Sequence, residues 1–413
     1  MRVFVYVMAL AFGLVGCGGG GGATSSSFPI YDDNKTQSSS TNSPSVSDFT
    51  SSDKQFLRLL FGTEYLWYDK IDITIDTNLY DNPQAMIDAL RYQELDRWSY
   101  SETYEEYENF ANQTSSGSFG FTYETQTFQI TSVVLGSPAQ SAGLERGDIL
   151  VSINDENITA QGLSEAKSRL NQEATFGLLR GDESLQITMA PAIYTYQVTQ
   201  HQIFTTPNGK RVGWMRYDQF SSSSYEEFDR AFDVFKEQNI EELIIDVRYN
   251  GGGYLTTASN LMDKIAGYAY DSKIQFVLQH NPNQSYQDSY YAFEKDSNSL
   301  SNLKRIFFLT TPHSASASEV VINSLKPYME VYTIGTTTHG KPVGMHGRSY
   351  GEYIYWLINF ELVNANGEGD FYSGIAPTCE AKDTFDYPQN DPNDTMLKEA
   401  LYYIEYEICL EGN

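Results

Sequence analysis

Three closely spaced serines provide hydroxyl groups that could act as a nucleophile. Ser314, Ser316 and Ser318 alternate with alanines after an apolar run at residues 306–309 and at the start of a helical pattern at 316–325. At such a strand-to-helix junction the helix N–H groups point outward, so negative charge developing on a substrate oxygen would be stabilised there. The segment therefore predicts a site for acyl transfer.

A serine hydroxyl is a weak nucleophile until a neighbouring base removes its proton. The candidate base is Lys341, in the turn that follows the apolar strand at residues 331–334. An amine packed between apolar strands is desolvated, which lowers its pKa from about 10.4 and favours the neutral form that accepts a proton. His313 and His346 are neighbouring alternatives, but both fit better as polar loop histidines.

A run of glycines at residues 251–253 ends another apolar strand and is a second candidate for oxyanion stabilisation. Glycine lets backbone N–H groups approach a substrate carbonyl closely. The run lacks the spacing and the Lys-Ser/Thr ending of a phosphate-binding loop, which argues against nucleotide binding. Asp246 and Arg248 fit best as a strand-end ion pair that fixes the glycine turn, and less well as a catalytic carboxylate and cation.

Residues 136–154 combine a Pro-Ala helical turn, a chain-reversing glycine and a Gly-Asp turn that leads into an alternating strand. This string closely resembles the signature of bacterial PDZ domains. Upstream, Phe119, Gly120 and Phe121 match the loop whose backbone N–H groups hold a peptide's terminal carboxylate in such domains. The resemblance implies that a peptide is bound as an added strand beside this loop.

Apolar strands alternate with helices from residue 209 onward, which predicts a layered α/β domain. The expected strands lie at 212–215, 243–247, 274–278, 306–309 and 331–334, and the expected helices at 224–237, after Gly253 and at 316–325. Short strands at 128–134 and 185–189 surround a helix at 164–170 in the PDZ-like region. Residues 52–113 carry apolar side chains at helical spacing and predict a small helical cap.

The beginning of the chain reads as an export signal. Residues 1–16 contain an apolar run shorter than the roughly 20 residues of a membrane-spanning helix, which is typical of a secretory signal peptide. The run ends in Leu-Val-Gly-Cys, which resembles the lipobox of bacterial lipoproteins, so Cys17 is expected to carry lipid. The alternative is an ordinary cleaved signal with a bystander cysteine. The polar residues 17–51 predict a solvated tether.

The 413 residues include 54 acidic and 27 basic side chains, for a net charge of −27. Such a surface repels nucleic-acid phosphates and argues against a nucleic-acid partner. Lipidation of Cys17 leaves Cys379 and Cys409, an even number in a compartment that permits disulfides. A bridge between them and two unpaired thiols are both open from the sequence.

Taken together, the chain resembles the C-terminal processing peptidases, also called tail-specific proteases. Residues 314–319 match their Ser-Ala-Ser-Ala-Ser-Glu string, residues 246–253 resemble their Asp-Leu-Arg-Asn-Asn-x-Gly-Gly, and 340–341 match their Gly-Lys. In that family the middle serine is the nucleophile and the catalytic lysine follows 25 residues later, as Lys341 follows Ser316. The resemblance further implies an oxyanion hole formed by the N–H groups of Gly252 and Ala317.

The implied fold is a crotonase- and Clp-protease-like layered α/β catalytic domain at residues 193–413, with an inserted PDZ domain at 115–192 and an N-terminal helical domain at 52–114. The implied activity is that of an exported serine endopeptidase. Its PDZ domain would capture unfolded or tail-exposing proteins, no metal or organic cofactor would be needed, and Cys17 would anchor it at the periplasmic face of an outer membrane or at the cell surface.

One position departs from the family pattern. Many members place a glutamine four residues after the lysine, where its amide orients the amine, but this chain has Met345. A thioether is a poor hydrogen-bond partner. The lysine must then be oriented from elsewhere, or the protein is a peptide-binding lipoprotein of the same family with weak or no activity.

Overall fold

The structure, a computed structural model, describes residues 49–111, 114–115, 117–300 and 302–410. The predicted signal peptide, Cys17 and nearly all of the predicted tether lie outside these residues. Within the described ranges, no helix combines the length and the apolar character needed to cross a bilayer.

The N-terminal segment contains both helices and a strand. Its elements are α1 (Ser51–Thr63), α2 (Pro83–Leu90), β1 (Tyr100–Thr103) and α3 (Tyr104–Ala111). Helix α1 begins at a capping box, because Thr50 accepts from the N–H of Asp53 and the Asp53 carboxylate accepts from the N–H of Thr50. The apolar faces of α1 and α2 share one core with a sheet of the catalytic region, so this segment is not an independent cap.

The PDZ-like region consists of β2 (Phe121–Tyr123), β3 (Ile130–Val133), α4 (Pro138–Ser141), β4 (Ile149–Ile153), β5 (Glu156–Asn157), α5 (Ala160–Ser168), β6 (Ala174–Arg180) and β7 (Glu183–Met189). Strand β3 starts later than predicted, because Phe128 has a φ of 56° and breaks the extended run. Helix α5 starts earlier than predicted, because Thr159 caps it by accepting from Gly162.

The catalytic region contains β8 (Thr199–Thr205), β9 (Arg211–Tyr217), α6 (Ser224–Glu237), β10 (Glu242–Asp246), α7 (Leu255–Met262), α8 (Tyr268–Tyr270), β11 (Ile274–His280), β12 (Ser289–Ala292), β13 (Arg305–Thr310), α9 (Ala317–Leu325), β14 (Glu330–Gly335), β15 (Val343–Tyr350), β16 (Tyr353–Asn364), β17 (Cys379–Glu380) and α10 (Thr395–Tyr406). A π-helical turn at Asp263–Gly267 joins α7 to α8. The order of strands and helices confirms the predicted α/β alternation.

The main sheet has the strand order β17-β14-β13-β10-β9-β8. Strands β17 through β9 run parallel, and β8 is antiparallel to β9. Parallel strands end at one edge of a sheet, so the loops after β10, β13 and β14 lie side by side at that edge. These loops carry the glycine run, the serine string and Lys341, with the serine string in the middle.

Helices cover both faces of the main sheet. Ile245 and Phe308 point into a cluster with α6, α7 and α9, while Ile244 and Phe307 point into a second cluster with α10. Alternation of this kind along buried strands follows from the two-residue period of a β-strand. The sheet is therefore a fixed platform for the loops at its edge.

A second sheet carries the strand that follows Lys341. Its order is β1-β16-β11-β12, and β15 pairs antiparallel with β16. The N-terminal β1 pairs with β16 in the register Tyr100↔Trp356. The N-terminal segment is thus built into the same sheet as β15, which begins two residues after Lys341.

A disulfide joins Cys379 on β17 to Cys409, which follows α10, with 5.5 Å between their Cα atoms. The bridge that the sequence left open is therefore formed. It fastens the C-terminal helix to the edge of the main sheet.

Candidate active site

The three loops at the edge of the main sheet are joined by backbone hydrogen bonds. The N–H of Ala315 donates to the carbonyl of Asn250 over 3.1 Å, and the N–H of His339 donates to the carbonyl of Ser314 over 3.0 Å. The serine string is therefore tied to the glycine loop on one side and to the lysine loop on the other. Its position is fixed by both neighbours.

Ser316 lies at the junction between β13 and α9, in a strained backbone conformation. Its φ is 54° and its ψ is −117°, which non-glycine residues adopt rarely. The residue caps α9, and the N–H of Ala317 donates to no group in the described part of the chain. A free N–H at a helix N-terminus beside the hydroxyl is one component of an oxyanion hole.

Glu319 joins the backbone of the serine to the backbone of the lysine. Its carboxylate is fully buried and accepts the N–H groups of Ser316 at 2.9 Å, Gly340 at 2.6 Å and Lys341 at 2.8 Å, together with the hydroxyl of Thr338. Burial raises the pKa of Glu319, while these four donors oppose that effect by favouring the ionised form. Glu319 is the last residue of the serine string, and no local sequence pattern indicates this role.

Lys341 is 3% exposed. Burial lowers the pKa of its amine from 10.5 to about 8, and the negative charges of Asp96 and Glu319 partly oppose that effect. A pKa near 8 leaves a substantial neutral fraction at neutral to mildly alkaline pH. In its neutral form the amine can accept a proton and so act as a general base.

The glycine loop passes directly against the serine. Gly252 has a φ of 108°, and a Cβ on it would lie 2.8 Å from the Cβ of Ser316, so only glycine fits. Its N–H donates to the side-chain oxygen of Asn250 over 2.9 Å. The second predicted oxyanion donor is therefore occupied in this conformation, and a substrate carbonyl would have to replace the Asn250 amide.

Asp246 and Arg248 form the ion pair that was favoured over a catalytic role. The Arg248 Nε–H donates to an Asp246 carboxylate oxygen over 2.9 Å, and both side chains are fully buried. Arg248 also binds Asp383 and Asp394 from the C-terminal segment. The same two carboxylates bind Arg146 of the PDZ-like region, so one buried network connects that region to the strand that precedes the glycine loop.

The two histidines considered as alternative bases are occupied elsewhere. His346 lies on β15 and stacks on His280, with ring centroids 5.7 Å apart, and burial lowers its pKa to about 4. His313 lies beside the ring of Tyr249. Among the described residues, neither histidine forms a hydrogen bond with Ser316.

Met345 lies on β15 and packs against the apolar cluster formed with the N-terminal helices. Its side chain is therefore used for packing. The group that orients the Lys341 amine has to come from another part of the chain.

The predicted peptide-binding loop precedes β2. Phe119 is buried, and its carbonyl accepts the N–H of Ala139 over 2.8 Å. Gly120 has a φ of 88°, and a Cβ there would lie 2.1 Å from the Cβ of Ser137. In the described chain β2, which starts at Phe121, pairs with β3 alone, so its other edge has no strand on it. A peptide strand at that edge stays a prediction.

Three protein-family models match the chain. The model for peptidase family S41 matches residues 211–381, a PDZ domain model matches 129–182, and a peptidase S41 N-terminal domain model matches 52–100. The three matches follow the order of the regions described above. They confirm the resemblance on which the sequence interpretation was based.

Curated relatives are distant in sequence. The carboxy-terminal processing protease CtpB of Bacillus subtilis is 26% identical over 275 residues, which is 64% of this chain and 54% of that protein. A carboxyl-terminal-processing protease of Synechocystis is 25% identical over 224 residues, or 53% of this chain and 50% of that protein. The chain thus spans about half the length of these relatives.

A solved structure shares the fold. The crystal structure of a Bacteroides fragilis protein that carries the S41 protease designation superposes with a TM-score of 0.76 at 24% identity. The match covers 90% of this chain and all of the other. Together with the PDZ match, it confirms the predicted layered α/β fold with an inserted PDZ domain.

Proposed function

The chain belongs to peptidase family S41, and from that premise we propose that it is a serine endopeptidase with a Ser316/Lys341 dyad. The observation that carries the proposal is the Glu319 carboxylate, which binds the backbone N–H groups of both residues. One buried group thereby sets the relative position of a strained serine and a desolvated lysine. If Ser316 only capped α9, its loop would not need to be joined to the loop of Lys341.

In the proposed reaction the neutral Lys341 amine takes the proton of the Ser316 hydroxyl as the oxygen attacks the scissile carbonyl. The negative charge that develops on the carbonyl oxygen is stabilised by the N–H of Ala317 and, once Asn250 is replaced, by the N–H of Gly252. The lysine then donates its proton to the leaving amine and is neutral again. In the second half of the reaction it takes a proton from the water that attacks the acyl-enzyme, and it returns that proton to the Ser316 oxygen as the acid product leaves. In these steps the chain supplies the nucleophile, the base and the oxyanion donors, and water is the second reactant.

Substrate delivery is the second part of the proposal. The PDZ domain would capture the tail of an unfolded or tail-exposing protein along the open edge of β2, beside Phe119 and Gly120. Lipid on Cys17 would hold the enzyme at the outer face of a membrane, at either the periplasmic face of an outer membrane or the cell surface. The acidic surface is consistent with a protein substrate and argues against nucleic acid.

The test is cleavage of a permanently unfolded protein by the wild type, Ser316→Ala and Lys341→Ala. Loss of either dyad member should lower kcat/KM by a factor of about 1,000 or more. Equal cleavage by all three proteins would refute the dyad. Lys326→Ala, a lysine on the C-terminal end of α9, is the matched control and should leave cleavage unchanged.

A second candidate function has its own support. Met345 and the occupied N–H of Gly252 favour a protein that captures tails without cutting them. Such a protein would bind a C-terminal peptide with equal affinity before and after Ser316→Ala and would release no product from it. Product release by the wild type, abolished in Ser316→Ala, would exclude this alternative.

A further inference from the structure

The negative charge of Asp96, in the N-terminal segment, acts on the Lys341 amine. A turn at residues 96–99 follows α2 and lies against the lysine loop. The Arg97 guanidinium donates to the carbonyl of His339 over 3.0 Å, and the Trp98 indole N–H donates to the His339 ring over 3.0 Å. His339 is two residues before Lys341, so this turn is docked on the loop that carries the base.

Within that turn, Asp96 is 3% exposed and held on every side. Its carboxylate accepts the hydroxyl of Tyr65 at 2.7 Å, the hydroxyl of Ser99 at 2.6 Å, and the backbone N–H groups of Trp98 and Ser99. A buried carboxylate with four donors keeps a fixed position. The Ser99 hydroxyl accepts the N–H of Ile358 on β16, which fixes the turn to the sheet that continues from the lysine loop.

The negative charges that act on the Lys341 amine come from two segments. Asp96 acts from the N-terminal turn and Glu319 from α9, and both oppose the effect of burial on the amine, with Asp96 the stronger of the two. Glu319 already accepts the backbone N–H of Lys341 and three other donors. His339 is kept neutral, because burial and the charge of Arg97 lower its pKa.

From this arrangement we propose that Asp96 is a positioning residue that acts through Lys341. Ser316 would be the nucleophile, Lys341 its base, and Asp96 the carboxylate that supports the base. This inference rests on the proposed function. As the serine proton moves to Lys341, the buried amine becomes an ammonium ion, and the negative charge of Asp96 stabilises it. Asp96 would thereby take the supporting role of the glutamine that many family members have where this chain has Met345.

The proposal predicts two opposite changes in Asp96→Asn, which is isosteric but uncharged. The pH at which kcat/KM reaches half of its plateau should fall by about one unit, because a nearby opposite charge changes a pKa by about 1 to 3 units. The plateau itself should fall about tenfold or more, because the ammonium ion is less stabilised in the transition state. A purely structural role would lower the plateau and leave the midpoint unchanged.

Two variants control for packing. Asp96→Glu keeps the charge but adds a methylene group, so it should disturb packing more than Asp96→Asn and yet keep the wild-type midpoint. Tyr65→Phe removes one donor to Asp96 and should also keep that midpoint. If Asp96→Asn does not fold, the Tyr65→Phe/Asp96→Asn double variant is measured instead, since only one of the two buried hydroxyls that donate to Asp96, that of Ser99, then remains.

A direct titration separates this inference from the proposed function. In protein labelled with 15N-lysine, the Nζ signal that Lys341→Met removes should titrate near pH 8 in the wild type and at lower pH in Asp96→Asn. This shift in a protein that cleaves nothing would refute the peptidase assignment and support the coupling. Equal midpoints in a protein that cleaves would overturn the role of Asp96 and leave the dyad intact.

Discussion

Replacing Glu319 by glutamine should weaken the connection between the serine loop and the lysine loop without changing Ser316 or Lys341. One carboxylate oxygen accepts from Gly340 and Thr338, and the other accepts from Ser316 and Lys341. A glutamine keeps only one acceptor oxygen. In its better orientation the amide NH2 faces the Thr338 hydroxyl, which can accept from it, while the N–H of Gly340 loses its acceptor.

The energetic cost follows from these contacts. A buried N–H without an acceptor costs about 1–3 kcal/mol, and each of the two retained bonds loses about 1 kcal/mol when its acceptor is no longer charged. The free energy of unfolding should therefore fall by about 3–5 kcal/mol, a large part of a typical total of about 5–15 kcal/mol. A displacement of the lysine loop by about 1 Å should lower kcat/KM about 100-fold.

The assay compares cleavage of an unfolded protein and urea unfolding for the wild type, Glu319→Gln and Glu330→Gln. Glu330 is an exposed carboxylate on β14, so its variant makes the same chemical change without these contacts and should match the wild type. A folded Glu319→Gln protein whose kcat/KM stays within about threefold of the wild type would refute the reasoning, because the lysine loop would then be fixed without this carboxylate.

Three further predictions follow from the same geometry. Because the base must be neutral, kcat/KM should rise about tenfold per pH unit below the pKa of Lys341, which is about 8, and level off above it, as a pH–rate profile will show. Gly252→Ala should abolish cleavage while the protein stays folded, because its Cβ would contact the Cβ of Ser316 at 2.8 Å; cleavage assays and circular dichroism test both parts. Arg146→Ala should lower the free energy of unfolding by about 3–5 kcal/mol, because it removes one of the two arginines that neutralise the buried carboxylates of Asp383 and Asp394. Thermal or urea unfolding measures this loss, and Arg230→Ala, which breaks an exposed pair, should cost no more than about 1 kcal/mol.

Local sequence patterns predicted the elements of the catalytic region well. Helix α6 has the predicted bounds, because Phe228, Ala231, Phe232 and Phe235 recur at helical spacing and all face the core. The parallel strands were recognisable as short apolar runs, since both of their faces are covered. The long antiparallel pair β15 and β16 was not assigned, because many of its side chains are polar or aromatic and its partner β1 lies about 250 residues earlier.

The candidate site was only partly predictable, for a related reason. The 25-residue spacing between the serine string and the Gly-Lys pair predicted Ser316 and Lys341, and the family resemblance predicted Gly252 as an oxyanion donor. The carboxylates of Glu319 and Asp96 could not be given roles, because the first acts on N–H groups 21 and 22 residues further along and the second on a loop more than 240 residues away. Such contacts are set by the order of the strands and not by any local pattern.

The strand order also explains why the N-terminal segment should be needed for activity. Its turn at residues 96–99 binds His339, and β1 pairs with β16, so removing it would uncover both the lysine loop and an edge of the second sheet. The Lys341 amine would then be hydrated, which would return its pKa toward 10.5 and leave little of the neutral base at pH 7. The proposed role of Lys341 as a base therefore predicts that the region from residue 193 onward is inactive without the N-terminal segment.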